Sequence, residues 1–144
     1  MTPRSLGCIR GVEEEAGGEL LSLGRILLAE DEPNIAESLM FILRRADFEI
    51  DSVADGTETL GRLRRNEYAA LILDIMLPGM NGFDVLRAIR ADANLAGLPV
   101  IVLTAKGQAN DRKTAEAIGA DAFITKPFSN AEVVERVREL ALGR

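Results

Sequence analysis

From Arg25 onward, strand-like apolar runs alternate with segments in which apolar residues recur at helical spacing. Turn-forming Gly, Pro, Asn and Asp residues separate them. The predicted strands are Ile26 to Ala29, Ile50 to Ala54, Ala69 to Leu73, Val100 to Leu103 and Ala122 to Ile124. Five strands separated by helices indicate βαβ crossovers and a parallel sheet.

The segments between the strands predict five helices. After Pro33, which suits a first helical turn, one stripe has the spacing of a buried helical face: Ile35, Leu39, Ile42, Leu43 and Ala46. Weaker stripes follow at Leu60 with Leu63, at Val85, Leu86 and Ile89, at Ala115 with Ile118, and at Val133, Val134, Val137 and Leu140. Each stripe gives a helix a face with which to cover the sheet.

Strand character predicts the strand order. The runs at Ile26, Leu71 and Val100 are continuously apolar, which is typical of central strands covered on both faces. The stretch Glu49 to Ala54 carries acidic residues and the run near Phe123 is short, so both suit edges. The predicted fold is therefore a flavodoxin-like α/β domain: a doubly wound five-stranded parallel sheet, order 2-1-3-4-5, with helices on both faces.

Polar residues fall where the predicted strands end. Glu30 and Asp31 follow the first strand, Asp74 the third, Thr104 the fourth and Lys126 the fifth. Because the carboxyl ends of parallel strands meet at one edge, three carboxylates, a hydroxyl and an ammonium should share one pocket. That set predicts a site for a divalent metal and a phosphoryl group.

The residue types fit this chemistry. Crowded carboxylates repel one another, and a divalent cation together with Lys126 would neutralise them. The oxygen ligands suit Mg²⁺. Zinc is disfavoured because the chain has no histidine and only one cysteine. Asp74 could attack phosphorus to form an acyl phosphate, while Lys126 offsets charge on the phosphoryl oxygens and Thr104 donates a hydrogen bond.

Each residue also has a simpler interpretation. Glu30 and Asp31 could merely occupy the positive end of a helix, Asp74 and Thr104 could be turn or cap residues, and Lys126-Pro127 could belong to a loop. Their joint occurrence at successive central strand ends, in order, favours the shared site.

Four stretches carry a resemblance that covers residues 25 to about 142. They are ILLAEDEPN, LILDIMLPGMNGFDVLRAIR around Asp74, PVIVLTA and GADAFITKPF. In order, spacing and flanking residues they resemble the receiver domain of bacterial two-component response regulators. The resemblance implies that Asp74 is a phosphoacceptor, which takes its phosphoryl group from a phosphohistidine on a sensor histidine kinase or a phosphotransfer protein.

The resemblance also implies the ligands of the metal. Asp31 and Asp74 would bind Mg²⁺ through their side chains, Met76 through its backbone carbonyl, and Glu30 mostly through water. Glu30 stands where the family frequently has Asp, and its longer reach should still permit a water-mediated contact.

Other implied roles concern switching. Lys126 would pair with the phosphoryl group, and the Lys126-Pro127 bond would be cis, an isomer that only proline makes cheap. Thr104 would move toward the phosphoryl oxygen and draw Phe123 inward. Phe123 stands where the family often has Tyr, so its switching would rest on packing, and a permanently buried core ring is the alternative interpretation.

The implied signalling surface comprises the fourth helix, fifth strand and fifth helix, roughly 110 to 140. It would bind a downstream protein partner or a fused output domain, or form a homodimer. Glu132 and Arg136 could join such an interface or pair within one helix. Both a stand-alone receiver and a piece of a longer regulator are open interpretations.

Composition and charge narrow the classes of protein to which the chain could belong. The chain has 144 residues, 47% apolar and 28% charged, which suits one globular domain. No apolar stretch is long enough for a membrane span, no secretory signal is readable, and a reducing cytoplasm fits the lone cysteine. The net charge of −6 disfavours direct nucleic-acid binding by this chain.

Glycine-rich residues 1–24 suggest a flexible N-terminal tail before a receiver domain at 25–144, with a short docked helix at Glu19 to Leu23 as the alternative.

Two other functions share the predicted topology or chemistry. A flavin-binding carrier would need a Ser/Thr/Gly-rich phosphate loop and aromatic walls, but the loop reads EDEPN and the chain has no Trp and one Tyr. A phosphatase that forms an aspartyl phosphate would turn over phosphate esters continuously, whereas a receiver should hold its phosphoryl group. A receiver regulated without phosphorylation is disfavoured, because every acceptor-site residue is present.

Overall fold

The computed structural model describes residues 22–105 and 108–142, in which five strands alternate with five helices. The strands are β1 (Arg25–Ala29), β2 (Glu49–Val53), β3 (Ala70–Asp74), β4 (Val100–Ala105) and β5 (Ala122–Lys126). The helices are α1 (Pro33–Arg45), α2 (Gly56–Arg65), α3 (Gly82–Ala91), α4 (Ala109–Ile118) and α5 (Asn130–Leu142). The predicted number and alternation of elements are confirmed.

All five strands are parallel and lie in the order β2-β1-β3-β4-β5, as predicted. Every residue of β3 is buried, and β1 and β4 are each exposed at only one end residue. The edge strands β2 and β5 are only partly buried. Continuous apolar sequence therefore marks the centre of the sheet, because those strands are covered on both faces.

Two apolar layers cover the sheet, and successive strand residues point to opposite layers. In β1, Ile26 and Leu28 face the layer formed with α1 and α5, whereas Leu27 and Ala29 face the layer formed with α2, α3 and α4. The fold is thus a three-layer α/β sandwich, and both helical faces depend on the predicted stripes.

Side chains cap four helix starts, including that of α5, where the Ser129 hydroxyl accepts a hydrogen bond from the Glu132 backbone N–H at 3.1 Å. Asp55 accepts a hydrogen bond from the Glu58 backbone N–H at 2.7 Å, and Asn81 accepts one from Asp84 at 3.0 Å. At α1, Glu32 accepts from Asn34, with proline in the first turn. Gln108, which precedes α4, makes no such bond. Helix α4 therefore begins with fewer satisfied backbone donors than α1, α2 and α3.

Three strands end later than predicted. Asp74, Thr104 and Lys126 lie inside strands, whereas the sequence prediction ended each strand before them. The reason is pairing with the neighbouring strand: Asp74 is in register with Leu103, and Thr104 with Thr125. Sheet registration, rather than local apolar sequence, sets these strand ends.

The segment before β1 is described from Ser22 onward. Leu23 packs against the α1/α5 layer, and its backbone N–H donates to the Asp47 carbonyl at 2.7 Å. Ser22 to Gly24 are not helical. Residues 1–21, which contain most of the proposed tail and of the alternative docked helix, lie outside the described residues.

One predicted ion pair is wrong. Arg136 contacts Glu139 at 2.9 Å rather than Glu132. Both pairings are geometrically available on α5, since residues three and four apart are neighbours on a helix surface. The guanidinium takes the partner one turn toward the C-terminus.

Candidate functional site

The functional candidates come from four strands that end at one edge of the sheet. Glu30 and Asp31 follow β1, Asp74 closes β3, and Thr104 and Lys126 lie at the ends of β4 and β5. The adjacent positions of β1 and β3 in the sheet, with chain connections leaving in opposite directions, form the crevice where α/β sheets bind ligands.

Three carboxylates form the floor of this crevice. Glu30, Asp31 and Asp74 each offer one oxygen, and these oxygens all lie within 4.8 Å of one another. Glu30 and Asp74 are buried, whereas Asp31 is exposed. Across residues 22–105 and 108–142, no other group of three potential metal-ligating side chains is so close. Their hard oxygen atoms could hold a divalent metal.

Lys126 bridges two of the carboxylates. Its Nζ lies 3.2 Å from Glu30 Oε1 and 3.6 Å from Asp74 Oδ2. The Lys126 side chain is 25% exposed, whereas the Glu30 side chain that it meets is 1% exposed. One cation thus partly compensates two buried anions.

Backbone groups fix the orientation of both buried carboxylates. The Met76 N–H donates to Asp74 Oδ1 at 3.1 Å, and the Glu32 N–H donates to Glu30 Oε2 at 3.0 Å. Glu30 Oε1 is within ion-pair distance of Lys126, but no described group is aligned to donate a hydrogen bond to it. That oxygen is therefore available to a further ligand.

The pKa of Glu30 is raised above its ordinary value of 4.5. Burial is the main cause, and the nearby negative charge of Asp74 adds to it. The Glu32 N–H and the Lys126 ammonium oppose the rise without cancelling it. The site as it stands holds more negative charge than its own groups compensate.

Gly82 lets α3 begin against the backbone of Asp74. A Cβ at Gly82 would lie 2.6 Å from the Ile75 Cα and 2.7 Å from the Asp74 carbonyl oxygen, closer than real Cβ contacts. The sequence indicated only a turn at Asn81-Gly82. The tight approach to the functional strand was missed, since it depends on the tertiary position of α3.

A cavity of about 290 Å³ opens beside these groups. Asp74, Thr104 and Lys126 line it together with Gln108 and Asp111. Sequence reasoning missed Gln108 and Asp111, because they lie at the start of α4 and carry no strand-end pattern. The cavity brings one further carboxylate to the predicted site.

A larger depression, of about 830 Å³, lies at the opposite end of the sheet near Tyr68 and Pro99. The charged side chains that line it are exposed or only partly buried, and none forms a close carboxylate group. Size alone therefore does not identify the functional crevice.

The remaining predicted residues have the following positions. Met76 is 75% exposed beside the acceptor, and the Lys126-Pro127 peptide is cis. Thr104 is buried and lines the cavity. The Phe123 ring is partly buried, and the Arg112 guanidinium carbon lies 4.6 Å from its centroid. Phe123 also packs against the layer formed with α2, α3 and α4, so its switching role and the alternative of a permanently buried ring both stay predictions.

The sequence matches the family model described as the response regulator receiver domain over residues 26–138. The chain belongs to this family. The expected resemblance and the flavodoxin-like topology are thereby confirmed, and the domain is a regulatory domain of two-component signalling rather than a conventional enzyme.

Curated relatives extend the comparison. The DNA-binding response regulator MtrA of Mycolicibacterium smegmatis is 42% identical over 114 residues, which cover 79% of this chain and 49% of the relative. The probable transcriptional regulatory protein TcrX of Mycobacterium tuberculosis is 41% identical over 115 residues, or 80% of this chain and 48% of the relative. This receiver chain spans about half the length of the curated relatives it matches.

Solved receivers share the fold. The receiver domain of Francisella response regulator 1452 superimposes with a TM-score of 0.76 at 29% identity, covering 82% of this chain and 96% of the other. The receiver domain of sensor histidine kinase PA1611 from Pseudomonas aeruginosa PAO1 gives 0.77 at 31% identity, covering 82% and 97%. That crystal structure has a magnesium ion coordinated in its active-site cleft.

None of the helices within residues 22–105 and 108–142 has the length and apolar character required to cross a bilayer.

Proposed function

We propose that this receiver is a phosphoacceptor switch, in which Asp74 takes a phosphoryl group from the phosphohistidine of a sensor histidine kinase or phosphotransfer protein. The observation that carries the proposal is the placement of the Asp74 carboxylate. It is buried, held through Oδ1 by the Met76 N–H, and set 3.6 Å from the Lys126 ammonium through Oδ2. One oxygen is oriented while the other faces a cation.

The residues fit Mg²⁺. Asp31 and Asp74 would hold it through their carboxylates, Met76 through its backbone carbonyl, and Glu30 through water. The three clustered carboxylates and the raised pKa of Glu30 support a site made for a hard cation. When bound, Mg²⁺ would supply positive charge that offsets the carboxylates and the phosphoryl oxygens. A related receiver, that of PA1611, has magnesium in its cleft.

The transfer would exchange one bond to phosphorus for another. An Asp74 carboxylate oxygen attacks phosphorus, the phosphorus–nitrogen bond to the histidine breaks, and the departing imidazole keeps that electron pair and takes up a proton. Lys126 would pair with the equatorial phosphoryl oxygens, and the Thr104 hydroxyl would donate to one of them. Small phosphodonors such as acetyl phosphate would serve the same carboxylate, and the acyl phosphate would hydrolyse slowly.

The output would use α4, β5 and α5. Movement of Thr104 toward the phosphoryl group would draw the partly buried Phe123 inward and alter this face. The face would bind a downstream protein or a fused output domain, or form a homodimer. The relatives MtrA and TcrX are about twice the length of the matched region and are named as DNA-binding and transcriptional regulators, which supports a fused output domain.

We place the switch in the cytoplasm and the receiver domain at residues 25–144. Light scattering with and without a phosphate mimic tests the homodimer. An unchanged mass on activation would remove it from the proposal.

The decisive experiment is incubation with acetyl phosphate and Mg²⁺, followed by intact-mass measurement. We expect a single phosphoryl addition that requires Mg²⁺ and is lost in Asp74→Asn. Asp47→Asn is the matched control, because Asp47 is exposed and has a φ of 75° that Asn tolerates. An addition that persists in Asp74→Asn would contradict the proposal.

The same samples separate the alternatives. A phosphatase that forms an aspartyl phosphate would release phosphate continuously from excess ester, whereas the switch holds one group per chain. A flavin-binding carrier would purify coloured, and Glu30 and Asp31 after β1 would repel its phosphate. Continuous turnover or bound flavin would each replace the switch as the function.

A further inference from the structure

The first turn of α4 adjoins both the acceptor cavity and the Phe123 ring. Asp111 lines the cavity that also contains Asp74, Thr104 and Lys126. The next residue, Arg112, places its guanidinium carbon 4.6 Å from the centroid of the Phe123 ring. That distance is within the range of a cation–π contact. Of these two consecutive residues, Asp111 therefore lines the acceptor cavity and Arg112 contacts the ring on β5.

This turn is held by few interactions. Gln108 makes no side-chain cap, and Ala115 is the one residue of α4 that is fully buried. By contrast, α1, α2 and α3 each begin with a side-chain cap and bury several residues. A segment with an uncapped start and a small buried face is displaced at low cost. The start of α4 is thus suited to respond to a charge change nearby.

We propose that Arg112 is a positioning residue that holds Phe123 in its partly buried orientation, and that Asp111 senses the phosphoryl charge on Asp74. The inference rests on the proposed phosphorylation. A phosphoryl group carries about −1.5 to −2 at neutral pH, in place of the single charge of a carboxylate. Repulsion of Asp111 moves the first turn of α4 and carries Arg112 away from the ring.

The chemistry of Phe123 makes this contact important. The ring has no hydroxyl, so no hydrogen bond fixes it, and only packing and the Arg112 cation act on it. Loss of the cation–π contact therefore frees the ring to move inward. In this arrangement, phosphorylation of Asp74 alters the output face in two ways. One is the movement of the first turn of α4, and the other is the movement of Thr104.

The first test asks whether Arg112 positions the ring in the unphosphorylated protein. The full chain is labelled with 4-fluorophenylalanine, and the fluorine resonance of residue 123 is assigned with Phe123→Leu. Arg112→Gln should change the population ratio of the two ring orientations by about two- to five-fold, which is the effect of one exposed cation–π contact. Lys113→Gln is the control, since Lys113 is exposed on the same helix and makes no cation–π contact within the described chain. Identical resonances in these two variants would overturn the role of Arg112.

The second test asks whether Asp111 transmits the charge. After treatment with acetyl phosphate and Mg²⁺, Asp111→Asn should gain one phosphoryl group by mass yet show a smaller displacement of the Phe123 resonance than the wild type. Glu116→Gln, an exposed acidic residue of α4 that does not line the cavity, should behave as the wild type. An undiminished displacement in phosphorylated Asp111→Asn would overturn the sensing role.

If the proposed phosphorylation is wrong, the two tests give a different pattern of results than if only the roles of Arg112 and Asp111 are wrong. If the wild-type chain gains no phosphoryl group, phosphorylation and the sensing role of Asp111 both fall. The contact of Arg112 with Phe123 is still decided by the unphosphorylated spectra.

Discussion

Lys126 Nζ lies 3.2 Å from Glu30 Oε1, closer than its 3.6 Å approach to Asp74 Oδ2. The ammonium that would stabilise a phosphoryl group is therefore already paired with a buried carboxylate that is not the acceptor. Glu30 competes with Asp74 for Lys126, and the ammonium only partly offsets the rise in the Glu30 pKa that burial causes.

Glu30→Gln should raise the free energy of unfolding at neutral pH in the absence of divalent cations. Because the folded-state pKa of Glu30 is above 4.5, folding must hold the charged form at a cost once the pH exceeds that raised value. The cost shrinks as the pH falls through the raised pKa and is gone below 4.5, where both states are protonated. Urea denaturation of both proteins at several pH values measures it. A variant less stable than the wild type at neutral pH would contradict the prediction.

Mg²⁺ should reduce or reverse this difference. A cation that binds the folded state stabilises it more at a given concentration when it binds more tightly, and the wild type offers one more carboxylate than Glu30→Gln. The midpoint of thermal unfolding should therefore rise more with added Mg²⁺ in the wild type. Equal rises in the two proteins would show that Glu30 does not take part in cation binding.

Among the basic residues of the described chain, Arg90 should contribute the most to the free energy of unfolding. It donates hydrogen bonds to the carbonyls of Gly119, Leu98 and Ala96 and to Asp121, which also accepts from the Val100 N–H. Arg90→Met would leave partly buried carbonyls without donors, at a cost of about 2–4 kcal/mol. Denaturant titration gives the value.

Arg87→Met provides the matched control for Arg90. Arg87 lies on the same helix, is exposed, and pairs only with the exposed Asp84 in the part of the chain that the structure describes. An exposed pair of this kind contributes about 0.3–0.5 kcal/mol. Similar losses in the two variants would mean that the Arg90 hydrogen bonds do not stabilise the fold.

The strand-end residues could be predicted from sequence, because a parallel sheet brings its carboxyl ends to one edge whatever the loops do. The pairing of Lys126 with Glu30 could not be predicted, because it depends on how far the Lys126 side chain extends from the end of β5 toward the end of β1. Asp111 was missed for a related reason: α4 reaches the cavity only through its packing on the sheet. Arg112 likewise carried no pattern that links it to Phe123.

Gly82→Ala should destabilise the fold by about 1–3 kcal/mol and reduce phosphoryl addition to Asp74. Its methyl group would lie 2.7 Å from the Asp74 carbonyl oxygen, so α3 or the acceptor strand must shift. Gly97→Ala is the control, because nothing lies within 4 Å of an added Cβ there. That variant should be neutral or slightly more stable. Denaturation and intact-mass phosphorylation of both variants test the two effects, and equal behaviour would contradict the close approach at Gly82.

Tyr68 should titrate above 10.0 in the folded protein. Its pKa is raised by burial and by the hydrogen bond that its hydroxyl donates to Asp51 Oδ2 at 2.7 Å, while Arg62 opposes the shift. The unfolded chain loses this proton first as the pH rises, so stability should fall once the pH passes 10.0. Tyr68 is the single tyrosine and the chain has no tryptophan, so near-ultraviolet phenolate absorbance reports it directly. Asp51→Asn keeps a hydrogen-bond acceptor but removes the negative charge, so it should lower the pH at the midpoint of the Tyr68 titration. A wild-type midpoint at or below 10.0 would show that neither burial nor Asp51 holds the proton on Tyr68.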